Sequence, residues 1–75
     1  MAESVRLRVE TAGDSIVVTL PETSCSVTYR KPVHSPGLVA ANVRGDRDAP
    51  ISQADFLARA WRAANDKARE LGWLV

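Results

Sequence analysis

The last third of the chain carries the signals that most constrain its fold: a helix start, an apolar face and a helix stop, in that order. Ser52 is placed as an N-cap whose hydroxyl accepts a hydrogen bond from the backbone N–H of Asp55. Gly72 can adopt the left-handed conformation that ends many helices. The apolar face recurs at helical spacing and consists of Leu57, Ala60, Trp61, Ala64, Ala68 and Leu71. We therefore predict an amphipathic helix over about 53–71 that covers the core of a small domain.

Three segments before the helix alternate apolar and polar residues, which is the pattern of strands buried on one face. These segments are 4–10, 15–20 and 25–30. A short turn containing Gly13 joins the first two segments. Pro21 ends the second, because proline cannot donate a hydrogen bond to a sheet ladder. The alternation predicts an antiparallel meander whose apolar face packs against the helix.

The region 31–50, between the third strand and the helix, is harder to assign. It opens with two prolines and a glycine, which indicate a loop, and residues 38–41 could form a fourth strand. A structureless connection of this length is unusual in a small domain. Either residues 38–43 pair with the sheet or the segment is mobile and functional. The predicted fold class is α+β: a single domain over 1–75 with three or four antiparallel strands and one C-terminal helix.

Composition narrows the functional classes. The chain has 75 residues, of which 45% are hydrophobic and 25% charged, as is ordinary for a globular domain. Ten basic residues against nine acidic ones give a net charge of +1, which argues against a dedicated polyanion binder. The N-terminus does not resemble a signal peptide, and no apolar run approaches the roughly 20 residues that cross a bilayer. We therefore expect a cytoplasmic protein with no membrane partner.

One cysteine and one histidine are the strongest candidates for nucleophilic or metal chemistry. Cys25 lies at an inward-facing strand position, which favours a small core residue. His34 lies in a loop between two prolines. A zinc site needs three or four ligands, and neither a calcium loop nor a glycine-rich phosphate loop is present. We assign no catalytic, metal-binding or cofactor-binding residue and expect a non-enzymatic protein, since an enzyme would require Cys25 and His34 to meet.

A basic cluster is the best candidate for a binding surface. Arg6, Arg8 and Arg30 fall at outward-facing strand positions, and Lys31 follows at the end of the third strand. Such a surface could bind an anion or a nucleic acid, although sheet faces that bind nucleic acids usually carry aromatic residues for base stacking. Tyr29 faces inward by parity, so this face has no aromatic side chain. A solvated sheet face and a protein interface are the alternatives.

Two segments resemble short bacterial proteins of unknown function: Val18-Thr-Leu-Pro-Glu-Thr-Ser-Cys-Ser-Val-Thr-Tyr-Arg30 and Phe56-Leu-Ala-Arg-Ala-Trp-Arg-Ala-Ala-Asn-Asp-Lys-Ala-Arg-Glu-Leu-Gly-Trp73. This resemblance implies no activity. Three strands followed by an alanine-rich helix also resemble, more distantly, the small domain of Hic-type antitoxins. In those proteins a short strand follows the helix, which only residues 72–75 could match here, and the connection over 31–51 is far longer. No antitoxin residue is carried over.

Three functions follow as hypotheses. The first is a small module that binds another protein or a second copy of itself, because the core is small and a meander has exposed edges. The second is anion or nucleic-acid binding through Arg6, Arg8, Arg30 and Lys31, with nucleic acid the less favoured partner. The third is an antitoxin-like regulatory domain. The sequence patterns specify neither a ligand nor an oligomeric state.

Overall fold

The structure is a computed structural model that describes residues 6–74. Four strands precede one helix: β1 Arg8–Ala12, β2 Ser15–Thr19, β3 Ser26–Arg30, β4 Val39–Arg44 and α1 Gln53–Glu70. The strands form one antiparallel sheet in the order β1-β2-β3-β4. The predicted α+β class is confirmed, and the fourth strand, which the sequence left open, belongs to the sheet.

The first strand differs most from its predicted bounds. β1 begins at Arg8 and continues through Ala12, whereas the alternation predicted 4–10. Residues 4 and 5 of that prediction lie outside the described residues. Gly13 follows with a φ of 62°, the left-handed conformation that a two-residue hairpin turn between the paired Ala12 and Ser15 requires.

A tight turn joins β2 to β3. Pro21 and Glu22 are its central residues, and the backbone N–H of Thr23 donates to the carbonyl of Leu20 at 3.2 Å. The hydroxyl of Thr23 donates to the same carbonyl at 2.8 Å and accepts from the N–H of Cys25 at 3.1 Å. The hydroxyl of Thr23 therefore stabilises the turn through two hydrogen bonds.

β4 forms one edge of the sheet and carries a bulge. Thr28 and Tyr29 are adjacent in β3 but pair with Asn42 and Ala40, so Ala41 is an extra residue on β4. The bulge interrupts the alternation of side chains along the strand. The sequence indicated a fourth strand at 38–41, or pairing over 38–43, whereas β4 runs Val39–Arg44.

Both ends of α1 are capped as the sequence predicted. The hydroxyl of Ser52 accepts a hydrogen bond from the N–H of Asp55 at 3.1 Å. At the other end Gly72 has a φ of 81°, and the N–H of Trp73 donates to the carbonyl of Ala68 at 2.8 Å. This is the Schellman arrangement, which satisfies carbonyl groups of the last turn.

The core lies between α1 and the sheet. Its helix side differs from the prediction, because Phe56 is fully buried while Trp61 and Leu71 are 46% and 42% exposed. α1 packs on β1, β2 and β3 through a ridge of small residues, and within residues 6–74 its backbone does not come within 8 Å of that of β4, measured between Cα atoms. The buried residues are Ile16, Val18, Leu20, Cys25, Val27, Tyr29, Leu38, Phe56, Ala60, Ala64 and Ala68.

Candidate functional site

The side of the sheet that faces α1 is left uncovered over β4. Ala40 and Val43 pair with Tyr29 and Val27, so they lie on this side, because directly paired residues share a face. Tyr29 and Val27 are buried beneath α1, whereas Val43 is 41% exposed and every residue of β4 is exposed. The uncovered edge of β4, together with Ala40, Val43 and Trp61, is called the β4-side surface below.

Trp61 borders the β4-side surface from the helix. Its indole contacts the ring of Tyr29 edge to face, with centroids 5.6 Å apart and planes at 64°. Tyr29 is 3% exposed, and burial raises the pKa of its phenol. An aromatic pair of this kind stabilises a fold by about 0.5–1.5 kcal/mol beyond area burial. The pair holds the indole in place while nearly half of Trp61 remains in solvent, and tryptophan is among the residue types most enriched at energetically important interface positions.

The two edges of the sheet differ in how they oppose pairing with another strand. Proteins protect edge strands with charges, prolines, bulges or a covering element. β1 has Arg8 and Glu10 within the strand, and α1 packs over it. β4 has no charged residue and no proline from Val39 to Val43; the bulge at Ala41 is its only such device before Arg44. The edge of β4 is therefore the one open to pairing.

The opposite face of the sheet carries a row of polar residues across all four strands. The register pairs Arg8 with Thr19, Thr19 with Ser26, and Ser26 with Arg44. These four residues are called the arginine row. At the usual spacing of about 4.8 Å between strands, its two arginines are about 14 Å apart at their Cα atoms. Within residues 6–74 neither Arg8 nor Arg44 has a carboxylate within salt-bridge distance.

Arg44 is the one residue of this row that the sequence patterns placed elsewhere. It follows the bulge and precedes Gly45 and Asp46, so it belongs by composition to a charged connector. Its position opposite Ser26 follows only from the shifted register of β3 and β4.

The four predicted basic residues do not form one cluster. Arg8 lies in the arginine row opposite Thr19, but Arg30 pairs with Ser15, four residues away along β2, and its guanidinium is 3.7 Å from the carboxylate of Asp14. Both side chains of this ion pair are largely exposed, so it contributes little to stability.

The other two members lie outside the strands. Arg6 is exposed and precedes β1. The ammonium of Lys31 donates to the carbonyl of Ser35 at 2.9 Å, and Lys31 borders a surface hollow with Asn65 and Arg69 of α1. The ammonium of Lys31 therefore lies within the loop and beside α1, away from the arginine row.

The structure separates Cys25 from His34. Cys25 is 1% exposed and immediately precedes β3, whereas His34 lies in an exposed turn beyond the other end of that strand. Five residues of extended chain span about 17 Å, so the two side chains do not meet as a nucleophile and a base. No group of three or more His, Cys, Asp or Glu residues within 6–74 is arranged to hold a metal ion. In the same residues, no helix has the length and apolar character of a membrane span.

No protein-family model, curated protein or solved structure matches the chain. The β4-side surface and the arginine row lie on opposite faces of one sheet.

Proposed function

We propose that this chain is a small protein-binding module that self-associates, with β4 of one copy pairing antiparallel with β4 of a second. The observation that supports this most directly is that α1 leaves β4 uncovered. An exposed indole and an exposed Val43 therefore lie beside a strand edge that has no charged residue before Arg44. Pairing satisfies the backbone groups of this edge and covers the apolar residues next to it.

A second copy fits this edge because β4 is self-complementary. A two-fold axis perpendicular to the sheet keeps both helices on the same side of the joined sheet. In the register that places Ala40 opposite Val43 of the second copy, apolar residues on the helix side meet in both halves. The same register places Arg44 opposite Val39, so the two arginines do not face one another across the seam. The bulged Ala41 then lies beside the axis, opposite Asn42.

The size of this interface sets the expected affinity. A standard interface covers about 800 Å² on each partner, which is about 15% of the 5370 Å² surface of this chain. Six strand residues and one indole on each side make a smaller contact than that. We therefore expect a dimer that dissociates in the micromolar range.

Light scattering coupled to size-exclusion chromatography tests the proposal across a series of micromolar concentrations. Val43→Lys places a charge in the apolar centre of the seam and is expected to abolish the dimer. Thr11→Lys is the matched control, because Thr11 is exposed on the opposite edge strand and lies on the same side of the sheet as its partner Ile16. A wild-type protein that stays monomeric at high micromolar concentration contradicts self-association. Equal behaviour of the two variants contradicts the choice of edge.

A second measurement needs no substitution. In isotope-labelled protein, the indole N–H signal of Trp61 and the amide signals of β4 are expected to shift with concentration. The indole signal of Trp73, which is half-buried beyond the C-terminal end of α1, is expected to stay in place. A concentration-dependent shift confined to other elements contradicts pairing through β4.

A further inference from the structure

The charges of this chain are divided unevenly between the two faces of the sheet. On the face away from α1, the strand positions carry three arginines, Arg8, Arg30 and Arg44, against one acidic residue, Glu10. Asp14 of the β1–β2 turn lies 3.7 Å from Arg30 and offsets its charge, so the excess positive charge of this face belongs to Arg8 and Arg44. The arginine row crosses this face without an acidic member.

We propose that the arginine row binds the phosphate backbone of a nucleic acid. Its two guanidinium groups present forked donors that match phosphate oxygens, and the hydroxyls of Thr19 and Ser26 lie between them. A single phosphate can meet one arginine and a neighbouring hydroxyl. The row extends about 14 Å across the sheet, so different phosphates of one nucleic-acid strand can contact the two arginines.

The residues around the arginine row determine whether it could distinguish one base sequence from another. The next row across the same face consists of Glu10, Val17, Thr28 and Asn42, so it offers no aromatic ring for base stacking. Contacts to phosphates alone carry no sequence information. We infer sequence-independent binding that weakens steeply with salt, by a slope of about 0.7 per contacted phosphate for single strands and about 0.9 for duplexes. Glu10, two residues from Arg8 on the same face, opposes binding.

This site is complete within one copy, so it goes beyond the proposed self-association. Anisotropy titrations of a labelled oligonucleotide, single-stranded and duplex, at several salt concentrations provide the test. Arg8→Gln and Arg44→Gln are each expected to weaken binding and to lower the salt slope by about 0.7–0.9. Glu10→Gln is expected to tighten binding. Arg62→Gln is the matched control, because it removes the same charge from an exposed position on α1 and is expected to leave binding unchanged.

Three results would overturn the assignment. The first is no binding at low salt, and the second is an equal loss for Arg62→Gln and Arg44→Gln, which would reflect net charge. The third is competition by inorganic tripolyphosphate as strong as that by an oligonucleotide of equal phosphate concentration, which would point to a small-anion site. Light scattering on each variant shows whether the dimer persists. Loss of binding in a variant that still dimerises separates this proposal from the proposed function.

Discussion

Glu22 holds a backbone conformation that its side chain disfavours. Its φ is 68°, and it is the one non-glycine residue with a positive φ among residues 6–74. The turn after Pro21 requires this conformation at its second central position, where glycine or asparagine is the usual residue. We expect Glu22→Asn or Glu22→Gly to raise the free energy of unfolding by about 0.5–1 kcal/mol, because relief of strain exceeds the added freedom of the unfolded chain.

Thermal unfolding followed by circular dichroism measures this gain, which for a domain of this size amounts to a few degrees in Tm. Glu22→Ala is the control, because it removes the charge but retains the strain. An equal gain for Glu22→Ala would show that charge, and not backbone conformation, limits stability at this turn.

Asp46 joins the β2–β3 turn to the segment that leads into α1. One carboxylate oxygen accepts the N–H of Ser24 at 2.9 Å and the other accepts the N–H of Asp48 at 2.9 Å. These bonds favour the charged form and hold the pKa of Asp46 below its ordinary value. Because the pKa of Asp46 is lower in the folded state, its charged form stabilises the fold fully at pH values above the unfolded-state pKa of about 3.9. This stabilisation is lost as the pH falls from about 3.9 through the folded-state pKa.

Urea denaturation from neutral pH down to strongly acidic pH tests this contribution. Asp46→Asn is expected to be less stable than the wild type at neutral pH, and the difference is expected to vanish below the folded-state pKa. Asp48→Asn, which removes the same charge two residues further on, is expected to retain the pH dependence of the wild type. A constant difference between Asp46→Asn and the wild type at all pH values would contradict a role for the charged form.

At the scale of elements, the sequence predicts well those features that depend only on residues close together in the chain. The caps of α1 follow from Ser52 and Gly72, because each acts within a few residues. The buried face of α1 depends on the sheet beneath the helix, so the sequence predicts it less well. The sheet buries one ridge, so Phe56 is enclosed, and Trp61 and Leu71 stand on the margins of the apolar arc.

β4 and the arginine row also depend on contacts between distant parts of the chain, which the sequence pattern does not report. Alternation reports which residues share a face only while the register is regular. The bulge at Ala41 shifts that register, and with it the partners of every later residue of β4. The position of Arg44 in the arginine row and the place of Val43 on the helix side of β4 are therefore properties of the pairing, and no local pattern indicates them.

At the scale of the whole molecule, pairing through β4 would join the two outer faces of the sheets. Arg44 of one copy would lie two strands from Arg30 of the other, with Val39 between them, so the two arginine rows would flank a basic seam. A nucleic acid long enough to cross the seam would then meet more phosphate-binding side chains than one copy provides. Self-association and phosphate binding, which lie on different surfaces of the monomer, would reinforce one another in the dimer.

This coupling predicts a change in nucleic-acid affinity that is opposite in direction to the change expected from net charge alone. Val43→Lys adds a positive charge, yet as a monomer it is expected to bind a long oligonucleotide more weakly than the wild type and with a smaller salt slope. Thr11→Lys adds the same charge, keeps the dimer and is expected to bind at least as tightly as the wild type. On an oligonucleotide too short to cross the seam, the difference between the variants is expected to shrink, because one copy then provides every contact. Equal affinities of the two variants for the long oligonucleotide would contradict the coupling while leaving each surface to its own test.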